Sequence, residues 1–194
     1  MNRSKSADTY RKALTDADCV LSLWWRTMQF TMMRRNRILI RDVPALLVAL
    51  DRLRPATLVV DVEPLVVPWD SAPTLFSNAA DDFVQTVRAS VPSVTSVVYS
   101  SNSRCPRAAD GKPGIRIVTA ARKPWRTRYL HDEPGPVAVT GDQVLTDGLL
   151  AWRLGASFLH WQVAGPMPRW PRLQRWIGRI AIPFLFKDDD GTST

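Results

Sequence analysis

Four polar clusters, each following its own apolar run, supply the residue types that phosphoryl transfer needs. Asp61-Val62-Glu63 closes the run Thr57-Leu58-Val59-Val60, and Ser100-Ser101-Asn102 follows Val94–Tyr99. Lys123-Pro124 comes after Ile115–Val118, and Gly141-Asp142-Gln143-Val144-Leu145-Thr146-Asp147 follows Val137–Thr140. A carboxylate nucleophile attacking a phosphate needs an acid to protonate the leaving oxygen. It also needs a metal to bridge carboxylate and phosphate, and cationic and hydroxyl donors on the phosphoryl oxygens. Asp61 can be the nucleophile. Glu63 can present its carboxyl as the acid while its backbone carbonyl faces a metal. Ser101 or Asn102 can hold a phosphoryl oxygen, and Lys123 can neutralise both the phosphate and Asp61. Asp61, Glu63, Asp142 and Asp147 make a candidate oxygen set for Mg²⁺, which favours carboxylates plus water. Singly, each cluster has a plainer reading: carboxylates capping loops, a solvent lysine, or Asp147 as an acid at a helix N-terminus. All four in order favour the chemical one.

The elements that must position these residues read as an α/β domain. Thr57–Val62 is apolar almost throughout, the pattern of a central parallel strand buried on both faces, with its acids at the carboxyl end. Open α/β sheets bind ligands at that end. Further strands are expected at Val94–Tyr99, Ile115–Val118, Val137–Thr140 and Ser157–Trp161. Helices are expected at 43–53, where Pro44 suits the first turn and Pro55 ends it, at 75–90, and at Val144–Leu154 with Gly155 as the C-cap. Alternating strands and helices imply a parallel sheet with right-handed crossovers. An N-terminal helix is expected at 9–33, with Leu21, Trp24, Trp25, Met28 and Met32 on one face, and frayed tails at 1–8 and 188–194. The resulting division is a helical extension over 1–54, an α/β core over 55–161 and a basic amphipathic segment over 162–194.

Net charge is +8 and the pI near 10.2, which expects an anionic partner or substrate. No helix-turn-helix, zinc or aromatic RNA-binding signature is present, so nucleic acid is the lesser expectation. Two cysteines, Cys19 and Cys105, build no disulfide framework, and a cytoplasmic setting follows. Cys105 reads as an inert thiol, and the lone His131 and His160 as structural. No apolar run reaches the roughly 18–20 residues of a spanning helix, and Arg26 interrupts the best signal-like stretch. In the C-terminal segment Trp170, Leu173, Trp176, Ile177 and Ile180 share a helical face flanked by Arg169, Arg172, Arg175 and Arg179. Two readings stay open. One is a helix in the interface of an anionic membrane, attached peripherally to its inner face. The other is a helix docked on the domain with its arginines in solvent.

The order strand-Asp-x-acid, strand-Ser, Lys-Pro, Gly-Asp-x-x-x-x-Asp resembles the haloacid dehalogenase-like (HAD) phosphatase superfamily over about 55–161. Val67-Pro68-Trp69, Ser101-Asn102-Ser103, Lys123-Pro124 and the Gly141–Asp147 string look most like its YqeG branch, related to phosphatidylglycerophosphate phosphatases. The string is followed by Arg153-Leu154-Gly155-Ala156, and Gly141 is expected to allow a tight turn there. The resemblance implies a three-layer Rossmann-like core and a Mg²⁺-dependent phosphomonoesterase working through an aspartyl-phosphate. Asp61, Glu63 and Lys123 would be catalytic, and Ser101, Asn102 and Lys123 would bind phosphate. The first motif departs from the family's Asp-x-Asp-Asn-Thr-Leu: here it is Asp61-Val62-Glu63-Pro64-Leu65-Val66. The extra methylene of Glu63 shifts the acid by roughly 1 Å, a displacement that can cost about 10²-fold. A catalytically impaired relative that binds phospho-ligand or membrane is the alternative expectation. Only about 40 residues separate Asp61 from Ser101, and about 20 separate Lys123 from Asp142, too few for a large cap. An open site suits a large or embedded substrate such as a lipid phosphate.

Overall fold

A computed structural model describes residues 34–68, 71, 73–102, 113–163 and 169–189. The expected helix at 9–33, the tails at 1–8 and 190–194, Trp69, Ser103, Cys19, Cys105 and the side chain of Trp170 lie outside the described residues.

Seven strands form one parallel sheet: β1 (Arg35–Ile40), β2 (Thr57–Asp61), β3 (Ser96–Ser100), β4 (Ile115–Val118), β5 (Val137–Gly141), β6 (Ser157–Trp161) and β7 (Phe186–Asp188). Their order is β4-β3-β2-β5-β6-β1-β7. Four helices are described: α1 (Val43–Leu53), α2 (Pro73–Ser90), α3 (Leu149–Leu154) and α4 (Arg169–Leu185). The pleat sends alternate side chains to opposite faces, and each face has its own core. Leu58 and Val60 pack with Leu46 and Leu50 of α1 and Phe76 and Val84 of α2. Val59 packs on the other side with Leu150 of α3, Leu185 of α4, Phe158 and Phe186. This is the expected α/β, Rossmann-like arrangement. No described helix is long and apolar enough to cross a membrane.

From β2 the chain steps outward through β3 and β4, then returns to β5 on the other side of β2 and steps away through β6. The direction reverses between β2 and β5, and a crevice opens there at the strands' carboxyl ends. Asp61 ends one of these strands and Asp142 follows the other.

The element boundaries follow local chemistry. Asp42 caps α1 by accepting from the Ala45 N–H at 2.8 Å, and Arg54 closes it in the left-handed conformation at φ 46°. Gly155 at φ 69° closes α3 as expected. Two strands were not expected. β1 reads Arg-Asn-Arg-Ile-Leu-Ile, and its arginines mask the strand pattern; buried Arg37 is matched by Asp188 of β7, Nε to Oδ1 at 2.7 Å. Asp189 likewise pairs with Arg52 at 2.8 Å, so residues 188 and 189 are anchored rather than frayed. The compact unit begins at Arg35. Within that unit β1, α1, α4 and β7 complete the sheet and its helical layers.

The helix expected at Val144–Leu154 is two structures. Val144–Gly148 is a π-helical turn in which the Gly148 N–H reaches the Gln143 carbonyl at 3.1 Å, and α3 continues from it. Such turns occur often at functional sites.

Candidate active site

Lys123 is the hub of the crevice. Its Nζ donates to Asp61 Oδ1 at 2.8 Å, to Asp147 Oδ1 at 2.6 Å and to the Ser100 carbonyl at 2.8 Å. Three donors thus meet three acceptors, and the lysine is 5% exposed. Burial would pull its pKa down, but the Asp147 and Asp61 carboxylates outweigh that and hold it above the ordinary lysine value. The loop that delivers Lys123 is fastened at several points. Asn102 grips its backbone from both sides: Oδ1 accepts from the Lys123 N–H at 2.7 Å, and Nδ2 donates to the Lys123 carbonyl at 3.2 Å. Arg153 Nη1 donates to the carbonyls of Pro124 at 2.6 Å and Trp125 at 2.9 Å. Ala120 and Arg122 adopt left-handed conformations at φ 48° and 54°, strained for non-glycine residues and sustained by these anchors.

Asp147 arrives through the π turn. Its Oδ2 accepts from the Gln143 N–H at 3.3 Å, and a Cβ at Gly141 would overlap its carboxylate. The glycine is needed here for space. Its φ is not in the left-handed region, so the tight-turn reason expected from sequence is replaced by a packing one.

Asp142 differs from its neighbours. It is 1% exposed, and neither carboxylate oxygen has a hydrogen bond. The nearest cation is Arg175 of α4, whose Nη2 lies 4.0 Å from Oδ2. Burial, then repulsion from Asp147, pushes its pKa up to about 7 despite Arg175. Burial and Asp147 also raise Asp61 well above its ordinary value, against the pull of Lys123. Oxygens of Asp61, Asp142 and Asp147 lie within 4.8 Å of one another. Three carboxylates around one ammonium leave surplus negative charge, and one of them is an unsatisfied buried anion. A divalent cation would answer both conditions, and an all-oxygen donor set suits Mg²⁺.

The fold therefore brings together Asp61, Lys123, Asp142, Asp147 and Asn102. Glu63 does not join the carboxylate cluster; it sits half-buried in the loop after β2. Ser101 is buried, with its N–H on the Val118 carbonyl and its own carbonyl accepting from Ala121 at the cleft end of β3. Both ends of the Asn102 amide are engaged with the Lys123 backbone, so it positions the lysine loop. Sequence reasoning missed Arg175, Arg153 as a loop anchor, and Tyr129, whose hydroxyl pairs with Ser100 Oγ at 2.9 Å. Arg153 alone carried a signal, its place just after the Gly141–Asp147 string. His160 is structural, as expected. Burial and Arg37 lower its pKa to about 4, so the neutral ring donates from Nε2 to the Asp142 carbonyl at 3.2 Å and accepts from Arg37 at Nδ1.

Compared with protein-family models, curated proteins and solved structures, the chain matches none.

Proposed function

We propose that this protein is a Mg²⁺-dependent phosphomonoesterase of the HAD type, with Asp61 as nucleophile. The observation that carries the reading is the crevice itself: a half-buried carboxylate at the end of β2, clamped by a buried lysine and facing two further carboxylates, one of them unsatisfied. Asp61 uses Oδ1 to accept from Lys123, and no hydrogen bond engages Oδ2 among the described residues. That oxygen attacks phosphorus, the bond to the leaving alkoxide breaks, and an aspartyl-phosphate forms. The Glu63 carboxyl protonates the alkoxide, then takes a proton from the water that hydrolyses the acyl-phosphate and restores Asp61. Lys123 orients Asp61 and favours its ionised form against burial and Asp147, and Ser101 offers a donor to the phosphoryl oxygens. Asp61, Asp142 and Asp147, with the Glu63 backbone carbonyl, would hold Mg²⁺, which when bound supplies charge neutralisation to the phosphate.

One observation favours a lipid phosphate as substrate. The described residues of the stripe expected on α4 point outward: Leu173, Trp176, Ile177 and Ile180 are 41–62% exposed, and Phe184 beyond them is exposed as well. The helix packs on the core through a different face, at Gly178, Ala181, Ile182 and Leu185. Four arginines and no acid lie between 165 and 186. An apolar face with a purely cationic flank fits an anionic bilayer, and Arg175 of the same helix reaches the carboxylate cluster. The site would then work at a membrane surface.

The test is phosphate release from p-nitrophenyl phosphate and from vesicles containing phosphatidylglycerophosphate, with Mg²⁺ present or chelated. Release should require Mg²⁺ and fall by about 10⁴-fold or more in Asp61→Asn. Higher turnover on vesicles, lost with Trp176→Glu/Ile180→Glu, supports the bilayer; equal turnover with and without that change removes it. Folded protein that binds Mg²⁺ but releases no phosphate would leave a non-catalytic relative. The absence of Glu63 from the cluster favours that alternative, and Glu63→Asp would then restore turnover.

A further inference from the structure

A second cavity lies beside Asp142, between α4 and the β6–β1 side of the sheet. Its volume is about 390 Å³; Arg37, His160, Arg175 and Arg179 line it, with Val144 and Trp161 in its apolar wall. No acidic side chain among the described residues lines it. Two of its polar groups are already matched: Arg37 by Asp188, and the His160 ring by Arg37 and the Asp142 carbonyl. Arg175 has only its 4.0 Å ion pair with Asp142, and Arg179 has no partner among the described residues. They stand one helical turn apart on α4, so their guanidinium groups neighbour each other. The 4.0 Å between Arg175 and Asp142 is too long for a hydrogen bond, so the donors of Arg175 remain available at the boundary between this cavity and the carboxylate cluster.

We propose that this cavity is a second anion subsite, which takes a phosphate or carboxylate carried by the same substrate whose phosphomonoester lies at Asp61. Two adjacent guanidinium forks match the paired oxygens of either group. The volume is that of a small-molecule site rather than of one bound phosphate. The apolar wall of Val144 and Trp161 suits the carbon chain joining the two anions. Assigning both anions to one substrate rests on the phosphatase reading; anion binding in the cavity does not.

The experiment is calorimetric titration of the Mg²⁺-loaded Asp61→Asn protein with propane-1,3-diol monophosphate, its bisphosphate, and the analogue with a carboxylate in place of the second phosphate. Salt is held near 0.3 M to suppress general attraction to a basic chain. The bisphosphate should bind about 10- to 100-fold more tightly than the monophosphate, as one added charged hydrogen-bonding site implies. Arg175→Gln/Arg179→Gln should reduce that advantage to under about threefold, exposed Arg179→Gln alone should remove part of it, and Arg172→Gln, outside the cavity, should preserve it. The carboxylate analogue tells which anion the subsite prefers. Equal binding of mono- and bisphosphate, or an advantage that survives the double variant, overturns the subsite. A preference seen in a protein that hydrolyses nothing keeps the subsite and sinks the phosphatase.

Discussion

The two halves of the carboxylate cluster are balanced in opposite ways. Around Lys123 every ammonium hydrogen is matched: three donors meet three acceptors in a buried pocket. Around Asp142, a few ångströms away, a carboxylate of equal burial has no hydrogen bond and only a distant arginine. The satisfied half fixes geometry and behaves as structure. The unsatisfied half costs stability in the folded protein, and a bound cation would offset that cost. Fold and binding site are thus adjacent but energetically distinct.

Breaking the satisfied half should have the largest effect. Lys123→Met keeps the side-chain volume but leaves Asp61 and Asp147 facing each other without a counter-charge. Removing one partner of a buried ionic cluster costs about 3–5 kcal/mol, or roughly 10 °C in Tm for a domain of this size. Thermal denaturation measures it, and a Tm within 2 °C of the parent would mean that Lys123 is not the hub described.

Asp142 predicts the opposite sign. Its pKa is near 7 in the folded chain against an ordinary 3.8, so the folded state holds this proton more tightly than the unfolded state. The stability contributed by the group is complete below about pH 4 and is lost as pH rises through 7. In chelator, Asp142→Asn should therefore raise stability by about 3 kcal/mol at pH 8, by roughly a third of that at pH 5 and by little below about pH 4. Mg²⁺ should stabilise the parent more at pH 8 than at pH 5, by mass action on the ionised site, and lose most of its effect on the variant. A variant less stable than the parent at pH 8 in chelator would show that Asp142 has a partner the geometry does not supply.

The same contrast marks what sequence could reveal. The central strands β2, β3 and β5 were legible because they are apolar and buried, and β4 and β6 also lie at their expected residues. Four candidate residues, Asp61, Lys123, Asp142 and Asp147, meet in space because Asp61 ends β2, Asp142 and Asp147 follow β5, and the loop after β4 carries Lys123 back to the same end of the sheet. β1 and β7 were not legible, since Arg37 and Asp188 compensate each other only across the sheet. The π turn was hidden because its residues read as ordinary helix. Arg175 was hidden because it approaches from α4, 33 residues beyond Asp142 in the chain, a long-range contact that no spacing rule contains. The hold of Asn102 on the Lys123 backbone was not legible, because a side chain that binds backbone has no signature in composition.

Asn102 gives the smallest and sharpest comparison between holding a loop and holding a ligand. Asn102→Ala removes both hydrogen bonds to the Lys123 backbone and should cost about 2 kcal/mol, near 5 °C in Tm. Asn102→Asp keeps an oxygen to accept from the Lys123 N–H and loses only the donor to its carbonyl. If Asn102 acts by positioning the loop, the aspartate should recover about half of the lost stability, and with it part of any phosphate release. If the amide instead holds phosphate, the added negative charge should weaken binding of inorganic phosphate by tenfold or more relative to Asn102→Ala. Thermal denaturation together with phosphate titration of the three proteins separates the two roles, because backbone positioning governs the first measurement and phosphate contact the second.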